Sequence, residues 1–254
     1  MIEARDLSAA IGGREVVSGA SIAAKGGDIV GLIGPNGAGK TSLLRALLRL
    51  VAPTAGHVLL DGADITADPP HRHARAIAYL PQGQTVAWPL TVRRLVALGR
   101  APHRTAWSGL TPADEAAVER ALAVADAADF ADRPVTELSG GERARVLLAR
   151  ALAVEAPVLL ADEPMASLDP YHQLATVDAL KKVAAEGAAV IVVLHDLALA
   201  VRTCTRLCLM DRGRVIAEGT PEAVLTDANL AAVYRVAVRR GAGGDFAIGR
   251  RLDP

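Results

Sequence analysis

The sequence predicts an α/β protein with a mostly parallel sheet, a small antiparallel layer and an inserted helical subdomain. Three observations predict this fold. Short apolar runs of strand length alternate with segments of helical composition. Hydrophobic residues make up 51% of the 254 residues and aromatic residues only 3%, so small aliphatic side chains must fill the core, which suits a sheet buried on both faces. Residues 91–154 show helical patterns and no convincing strand, which places the insertion there.

The strands and helices of the core are predicted in chain order. Residues 2–9 and 15–22 form the opening hairpin of the antiparallel layer. Residues 58–62 end in an Asp-Gly turn, and Ile77–Leu80 precedes a proline, so both are predicted strands that end at breakers. The remaining predictions are strands at Ile29–Ile33, 158–161 and 189–194, and helices at 42–50 and 171–185.

The chain is predicted to form a single domain with an insertion. Thr111 is expected to cap a helix that has Pro112 in its first turn. The predicted parts are a core of residues 1–86 and 156–236, a helical subdomain of residues 87–155 with helices at 91–99, 112–126 and 141–153, a tail of residues 237–254, and a loose turn at residues 241–244.

The composition excludes several classes of protein. The 28 basic and 28 acidic residues cancel, so no global field attracts nucleic acid, and no nucleic-acid partner is expected. Apolar runs such as residues 188–194 are far shorter than the roughly 20 residues of a membrane-spanning helix. The start of the chain lacks an apolar signal region, which favours the cytoplasm. Cys204 and Cys208 are expected to be small buried hydrophobes, with a redox role as the alternative.

A phosphate-binding loop is the first functional motif. Residues 34–41 fit the pattern of glycine, four residues, glycine, lysine and a hydroxyl residue, between a predicted strand and a predicted helix. Such a loop turns backbone N–H groups toward phosphate at a helix N-terminus. Lys40 is expected to reach the β- and γ-phosphates, and Thr41 to bind magnesium. The motif predicts a P-loop NTPase core, with nucleotide held by Gly34, Pro35, Asn36, Gly37, Ala38, Gly39, Lys40, Thr41 and Ser42.

Polar residues follow three of the predicted strands. Asp162 and Glu163 end the strand at 158–161, at the sheet edge where ligands bind in open α/β folds. Asp162 is the better metal candidate and Glu163 the better base for water. Gln82 and His195 follow other strands, so Gln82 is a candidate contact to magnesium or water and His195 a candidate contact to phosphate or water. A lone histidine at such a place is as often structural.

A third motif makes the pattern specific. Residues 138–142 read Leu-Ser-Gly-Gly-Glu, and with the preceding motifs the chain resembles the nucleotide-binding subunit of ABC transporters from residue 2 to about 236. The P-loop resembles that family's Walker A and RecA-like core. In the same resemblance Gln82 is the Q-loop, residues 138–142 the signature, 158–163 Walker B, 167–169 the D-loop and His195 the switch histidine.

The resemblance implies how the site is assembled. It implies a homodimer that holds two ATP molecules with Mg²⁺, each between Walker A of one subunit and Ser139, Gly140 and Gly141 of the other. Free N–H groups at the start of the helix predicted from residue 141 suit a γ-phosphate. Glu142 and Asp169 complete the implied nucleotide-binding set. The implied catalytic residues are Glu163, His195, Gln82 and Lys40, and the implied metal ligands are Thr41, Gln82 and Asp162.

The chain departs from the family at two positions. Glu142 stands where the signature usually has glutamine, and a carboxylate near a helix start suits the helix dipole, so the change is expected to be tolerated. The family usually stacks an aromatic residue on adenine from the first hairpin, and the nearest matching position is Ile11. Adenine is therefore expected to rest on an aliphatic surface or on another element.

The kind of transporter is indicated by shorter similarities. Residues 96–103, 195–204 and 218–225 look similar to subunits that import iron-siderophore complexes, haem or vitamin B12. The resemblance implies transmembrane permease subunits, an indirect periplasmic or surface substrate-binding protein, and a peripheral place on the cytoplasmic face of the inner membrane. Rival interpretations are a soluble ABC ATPase acting on DNA, ribosomes or cluster assembly, and an exporter ATPase.

The stretch from residue 71 to residue 110 has no acidic residue and is expected to form a basic face. Two interpretations of this face stay open, a docking surface for the permease and a solvated arginine-rich surface. Its arginines are Arg72, Arg75, Arg93, Arg94, Arg100 and Arg104.

Overall fold

The computed structural model describes residues 1–83, 86, 88–105, 108–166, 168–240 and 246–251. The described strands are β1 (Ile2–Ile11), β2 (Arg14–Ala24), β3 (Ile29–Ile33), β4 (Pro53–Leu60), β5 (Ala63–Asp64), β6 (Ile77–Leu80), β7 (Val158–Asp162), β8 (Ala189–Val193), β9 (Arg206–Asp211), β10 (Arg214–Gly219), β11 (Val236–Arg240) and β12 (Phe246–Arg251).

Helices cover the sheets and form the insertion. The described α-helices are α1 (Lys40–Leu47), α2 (Val92–Ala97), α3 (Pro112–Val124), α4 (Gly140–Leu152), α5 (Pro170–Ala185), α6 (Leu197–Thr203), α7 (Pro221–Val224) and α8 (Asp227–Tyr234). None of the helices in the described ranges has the length and apolarity to cross a membrane.

The strands build a central sheet and a smaller antiparallel sheet. The central sheet has the order β10-β9-β3-β8-β7-β6. Its pairs are parallel from β9 to β6, and β10 joins the edge antiparallel to β9. The smaller sheet has the order β2-β1-β4-β5 and is antiparallel throughout. The predicted fold class is therefore confirmed, and all the polar residues that end parallel strands meet at one edge.

Alternate residues of the central strands enter two separate cores. Val30 and Leu32 of β3 pack with α1 and the antiparallel sheet, whereas Ile29 and Ile33 pack with the helical insertion and α5. All five residues of β3, β7 and β8 are buried. Side chains point to opposite faces in a strand, and both faces here are covered by apolar residues. This explains the continuous aliphatic runs in the sequence.

Helices α1 and α4 begin earlier than predicted, and α5 begins one residue early, at Pro170. α1 was expected at residues 42–50 but spans Lys40–Leu47, because the phosphate-binding loop itself supplies the first turn. It ends early because Arg49 is left-handed, with φ 63°. α4 begins at Gly140 and not at residue 141, because the hydroxyl of Ser139 already accepts the N–H of residue 142 as an N-cap.

Two arginines of the arginine-rich stretch form ion pairs within the chain, so the stretch is not one continuous basic face. Arg100 is only 6% exposed. Its Nε donates to Asp114 Oδ1 at 2.9 Å and its Nη1 donates to Glu155 Oε2 at 3.1 Å. Arg93 pairs with Glu119. The prediction of a basic face is wrong at these positions, because acidic residues from later in the chain pair with the arginines.

Further predictions concern the cap of α3, the two cysteines and the tail. Thr111 caps α3 as predicted, through the N–H of Asp114. Cys204 and Cys208 are buried, and burial raises the pKa of both thiols to about 12. The tail forms the antiparallel pair β11-β12. The turn predicted at residues 241–244 lies outside the described residues.

Candidate functional site

The phosphate-binding loop has a backbone that its glycines require. Gly34, Gly37 and Gly39 have φ of 145°, 79° and 98°, backbone conformations that residues other than glycine rarely adopt. A Cβ at Gly34 would lie 2.2 Å from the carbonyl oxygen of Met210, and one at Gly39 would lie 2.5 Å from that of Val16. The glycines therefore serve both the turn and the close packing of the loop against its neighbours.

The loop opens into a cleft of about 1070 Å³ at the carboxyl edge of the central sheet. α1 begins in this cleft without a side-chain cap and without an acidic residue in its first turn. The N-terminal N–H groups of α1 are therefore left for an anion. The cleft is lined by Arg14, Glu15, Val16, Asn36, Gly37, Ala38, Gly39, Lys40, Thr41, Ser42, Gln82, Glu163, His195, Arg212 and Gly213.

Lys40 is folded back onto its own loop. Its Nζ donates to the carbonyl oxygens of Gly34 at 2.8 Å and Pro35 at 3.0 Å, and the residue is 5% exposed. Burial lowers the pKa of Lys40, while the charges of Glu163 and Asp162 oppose that shift. A phosphate that enters the cleft would replace the two carbonyl groups as the partner of the ammonium.

Asp162 and Thr41 form the oxygen pair predicted to hold Mg²⁺. Thr41 Oγ1 donates to Asp162 Oδ1 at 3.0 Å, and Tyr79 Oη donates to Asp162 Oδ2 at 3.5 Å. Asp162 is 1% exposed, and burial raises the pKa of its carboxyl. A hydroxyl and a carboxylate are the hard donors that Mg²⁺ takes, so this pair fits the ion. No sequence motif marks Tyr79, although it lies near the end of β6, three residues before Gln82.

Glu163 is held by both polar residues predicted to work with it. Gln82 Nε2 donates to Glu163 Oε2 at 2.6 Å, and His195 Nε2 contacts Glu163 Oε1. Glu163 has φ 52°, a left-handed conformation uncommon for residues other than glycine. Gln82, predicted to contact either metal or water, is thus bonded to the predicted base and not to Asp162.

The signature residues lie apart from the phosphate-binding cleft. Ser139 Oγ accepts the N–H of Glu142 at 3.2 Å, and Glu142 Oε2 accepts the N–H of Ser139 at 2.8 Å, which is a capping box. These bonds, led by the one from the Ser139 backbone, lower the pKa of Glu142. None of the signature residues lines the cleft. Gly140 alone lines a smaller neighbouring cavity of about 340 Å³, which also includes Gln82 and Glu163.

Asp169 lies at the start of α5, outside both cavities. Its Oδ1 accepts the N–H of His172 at 3.0 Å, and its Oδ2 lies 2.8 Å from His172 Nδ1. These bonds lower the pKa of Asp169. The ring of His172 faces Gly141, since a Cβ on Gly141 would lie 3.6 Å from His172 Nδ1. Asp169 therefore orients a neighbour of the signature and does not reach this chain's P-loop cleft. Ser167, which precedes it in the predicted D-loop, lies outside the described residues.

Part of the cleft is lined by residues that the sequence motifs do not mark. Ile11 is 45% exposed and does not line the cleft. Arg14, Val16 and Arg212 do, and they come from β2 and from the β9–β10 turn. Sequence pattern could not find them, because the left-handed residue Arg212 (φ 46°) reaches the cleft only through the pairing of distant strands.

Comparison with known proteins agrees with this geometry. The family model described as ABC transporter matches residues 17–166. The chain is 45% identical over 243 residues to the hemin import ATP-binding protein HmuV of Pseudomonas entomophila, over 94% of each chain. It is 45% identical over 240 residues to the cobalamin import ATP-binding protein BtuD of Halobacterium salinarum, over 93% of this chain. This chain spans 60% of the length of that cobalamin relative.

A solved structure supports the same assignment. The dimeric post-hydrolysis state of the ATP-binding cassette MJ0796, bound to ADP and Pi, matches with a TM-score of 0.77 and 28% identity, over 87% of this chain and 99% of that one. The shared fold, the P-loop cleft and the family match converge. The chain therefore belongs to the ABC transporter family, among the ATP-binding subunits that hydrolyse ATP.

Proposed function

We propose that this subunit powers a membrane importer for haem, cobalamin or an iron-siderophore complex. The observation that carries the proposal is the 45% identity to a hemin import subunit over 94% of both chains. The cobalamin relative has the same identity, so the proposal is a class of large metal chelates and not one compound. The residues of the ATPase site do not identify the transported substrate, because they bind phosphate.

The working form in this proposal is a homodimer with ATP between the subunits. One chain supplies the P-loop cleft, while its own signature residues do not line that cleft. Gly140 is exposed, and a Cβ there would meet nothing within 4 Å. The chain itself thus has no need of glycine at this position, whereas the close approach of a second molecule gives a reason for it. The γ-phosphate bound to one subunit would receive the free N–H groups of Gly140 and Gly141 of the other.

In this proposal Glu163 changes hydrogen-bond partners before hydrolysis. Both of its carboxylate oxygens are engaged by Gln82 and His195. Loss of either bond on ATP binding would make the carboxylate a stronger base and open a place for the attacking water. The γ-phosphate offers His195 another acceptor. Gln82 can turn toward water or the metal ion. ATP therefore activates the base in this proposal by drawing His195 and Gln82 away from it.

The metal site is assigned to Thr41 Oγ1 and Asp162 Oδ1, which already face each other at 3.0 Å, with Gln82 as a further ligand once it leaves Glu163. Bound Mg²⁺ would neutralise charge on the β- and γ-phosphates. Lys40 exchanges its two carbonyl partners for phosphate oxygen. These residues position the triphosphate, and Glu163 is the group that moves the proton.

The partner surface is placed on the helical subdomain, near the segment that follows Gln82. Trp88 is 74% exposed there, and a large exposed aromatic side chain is typical of protein interfaces. The partners in this proposal are transmembrane permease subunits, with a periplasmic or surface substrate-binding protein acting through them. The subunit then works at the cytoplasmic face of the inner membrane, as a peripheral protein. A soluble ABC ATPase is the rival, and it needs no such partner.

The substitution Glu163→Gln tests the ATPase part of this proposal. The variant should bind ATP and accumulate as a dimer, because it keeps a hydrogen-bonding side chain but cannot accept a proton. Its turnover should fall at least about 100-fold. Sedimentation with and without ATP and a phosphate-release assay measure the two effects. Ordinary turnover in this variant would remove Glu163 as the base.

Transport is tested separately from hydrolysis. The subunit should co-purify with a many-helix permease from membranes solubilised in gentle detergent. Proteoliposomes that contain the complex should take up labelled hemin, cobalamin or iron-siderophore when ATP is on the side of the subunit. Isolation of the subunit alone under the same conditions would favour the soluble rival. Outward movement of substrate would favour an exporter.

A further inference from the structure

We propose that Arg133 is the counter-charge that allows a carboxylate, Glu142, to stand in the signature next to the partner's ATP. The inference rests on the proposed ATP-bound homodimer. It assigns Arg133 as a positioning residue for that interface, although Arg133 lies outside all the motifs found in the sequence.

The carboxylate of Glu142 lies at the very start of α4. Its Oε2 accepts the N–H of Ser139 at 2.8 Å, so it stands within one helical turn of Gly140 and Gly141, whose N–H groups face the partner in the proposed dimer. An anion here competes with the phosphate for the positive end of the helix. Left unpaired, it would also repel the triphosphate.

Arg133 meets this carboxylate on its other oxygen. Its Nη1 donates to Glu142 Oε1 at 3.1 Å, and its Nη2 donates to the carbonyl oxygen of Glu137 at 3.3 Å. The guanidinium therefore bridges the loop before α4 and the first turn of α4. The other arginine of this turn, Arg143, donates to the carbonyl oxygen of Leu138 and leaves Glu142 to Arg133.

The backbone of Arg133 is fixed, so the counter-charge is held in place. Its carbonyl oxygen accepts the N–H of Val92 at 3.0 Å, and its own N–H donates to the carbonyl oxygen of Phe130 at 3.0 Å. Val135, two residues on, is fully buried and donates to the carbonyl oxygen of Leu90 at 2.9 Å. Arg133 thus stands on the strand-like contact that joins the start of α2 to the signature loop.

The decisive measurement is a double-mutant cycle on ATP-dependent dimerisation. In the Glu163→Gln background, where the dimer accumulates, the subunit dissociation constant with ATP is measured by sedimentation for Arg133→Gln, Glu142→Gln and the double variant. Arg133→Gln alone should weaken the dimer about two- to fivefold, the range of a partly exposed ion pair. The double variant should be close to the parent, because neutral glutamine at position 142 needs no counter-charge. Arg133→Lys should keep most of the affinity.

Controls separate the electrostatic role from a structural one. Arg120→Gln removes a comparable exposed ion pair with Glu155 in the same subdomain and should leave dimerisation unchanged. Binding of nucleotide to the monomer should be equal in all variants, and the Arg133→Gln defect should shrink at high salt. An equal loss with and without the Glu142 carboxylate, or no loss in Arg133→Gln, would overturn the inference while the dimer stands. Failure of the parent to dimerise with ATP would instead overturn the proposed function, and this inference with it.

Discussion

Two glycine-containing turns of this chain, the P-loop and the signature, carry glycine for opposite reasons. The P-loop glycines Gly34 and Gly39 are left-handed and pack against backbone oxygens, so their own chain requires them. Gly140 and Gly141 have no such conformation, and a side chain at either would meet only open space or ordinary contacts. The P-loop glycines are thus required by their own chain, whereas the glycines of the signature find a reason only in the proposed dimer.

The helices that follow the two turns differ in the same way. α1 has no side-chain cap and no acidic residue in its first turn, which leaves its N-terminus open to phosphate. α4 is capped by Ser139 and carries Glu142 in its first turn, so part of its N-terminus is already satisfied. The first helix can bind an anion by itself. The second contributes only the remaining N–H groups.

The largest expected effect is on turnover, from Gly140→Ala and Gly141→Ala. Each methyl group fits the isolated chain but would stand where the partner's triphosphate approaches. ATPase turnover should fall about 100-fold, the scale of a displacement of about 1 Å at a reacting group, while nucleotide binding to the monomer is retained. Steady-state phosphate release and nucleotide titration measure these effects. Gly109→Ala is the matched control, because a Cβ added at Gly109 would also meet nothing within 4 Å. Full activity in Gly140→Ala would break the comparison.

The next effect is on folding, from Gly34→Ala in the P-loop. The new Cβ would lie 2.2 Å from the carbonyl oxygen of Met210, and φ of 145° is unfavourable for alanine. The free energy of unfolding should drop by about 3 kcal/mol, as measured by urea denaturation. Gly37→Ala has an unfavourable φ but free space, so it should cost only about 1–2 kcal/mol. Equal costs for the two variants would mean that close packing does not distinguish them.

How far the sequence predicts this site depends on where each partner lies in the chain. The P-loop, the acidic pair and Gln82 are readable because strand order alone brings strand ends to one edge. The buried pairs of Arg100 are not readable, since Asp114 and Glu155 lie outside the arginine-rich window that suggested a basic face. Nor is the wall formed by Arg14 and Arg212, which depends on long-range strand pairing.

The role of Glu142 was predicted only in part. The helix dipole predicts that a carboxylate is tolerated there, and the capping box agrees with that expectation. The helix dipole does not account for the second carboxylate oxygen of Glu142, Oε1. Its partner Arg133 is nine residues earlier, before the short 3-10 turn at Val135–Glu137, and no local pattern marks it.

A smaller effect is expected on the pH dependence of the free energy of unfolding, through Glu142 of the signature. The pKa of Glu142 is lowered in the folded chain, first by its bond from the Ser139 N–H. The folded chain therefore binds this proton less readily than the unfolded chain, so the stabilisation is present above the ordinary pKa of 4.5 and is lost as pH falls below it. Glu142→Gln should reduce this loss of unfolding free energy at acidic pH by about 0.5–1 kcal/mol, the contribution of a helix cap. Urea denaturation between neutral and acidic pH measures it, and an unchanged slope would contradict the assignment.

The smallest effect has the opposite sign from the others. Gly140→Ala should raise the free energy of unfolding of the monomer by about 0.5 kcal/mol, because alanine loses less backbone entropy in the first turn of α4 and no neighbour lies within 4 Å of its Cβ. The same variant is expected to lose turnover, so a single substitution would stabilise the chain and disable the enzyme. Urea denaturation of the nucleotide-free monomer measures this gain. If the variant proved less stable, glycine at 140 would be a requirement of the chain itself, and the reason for placing a second molecule against the signature would disappear.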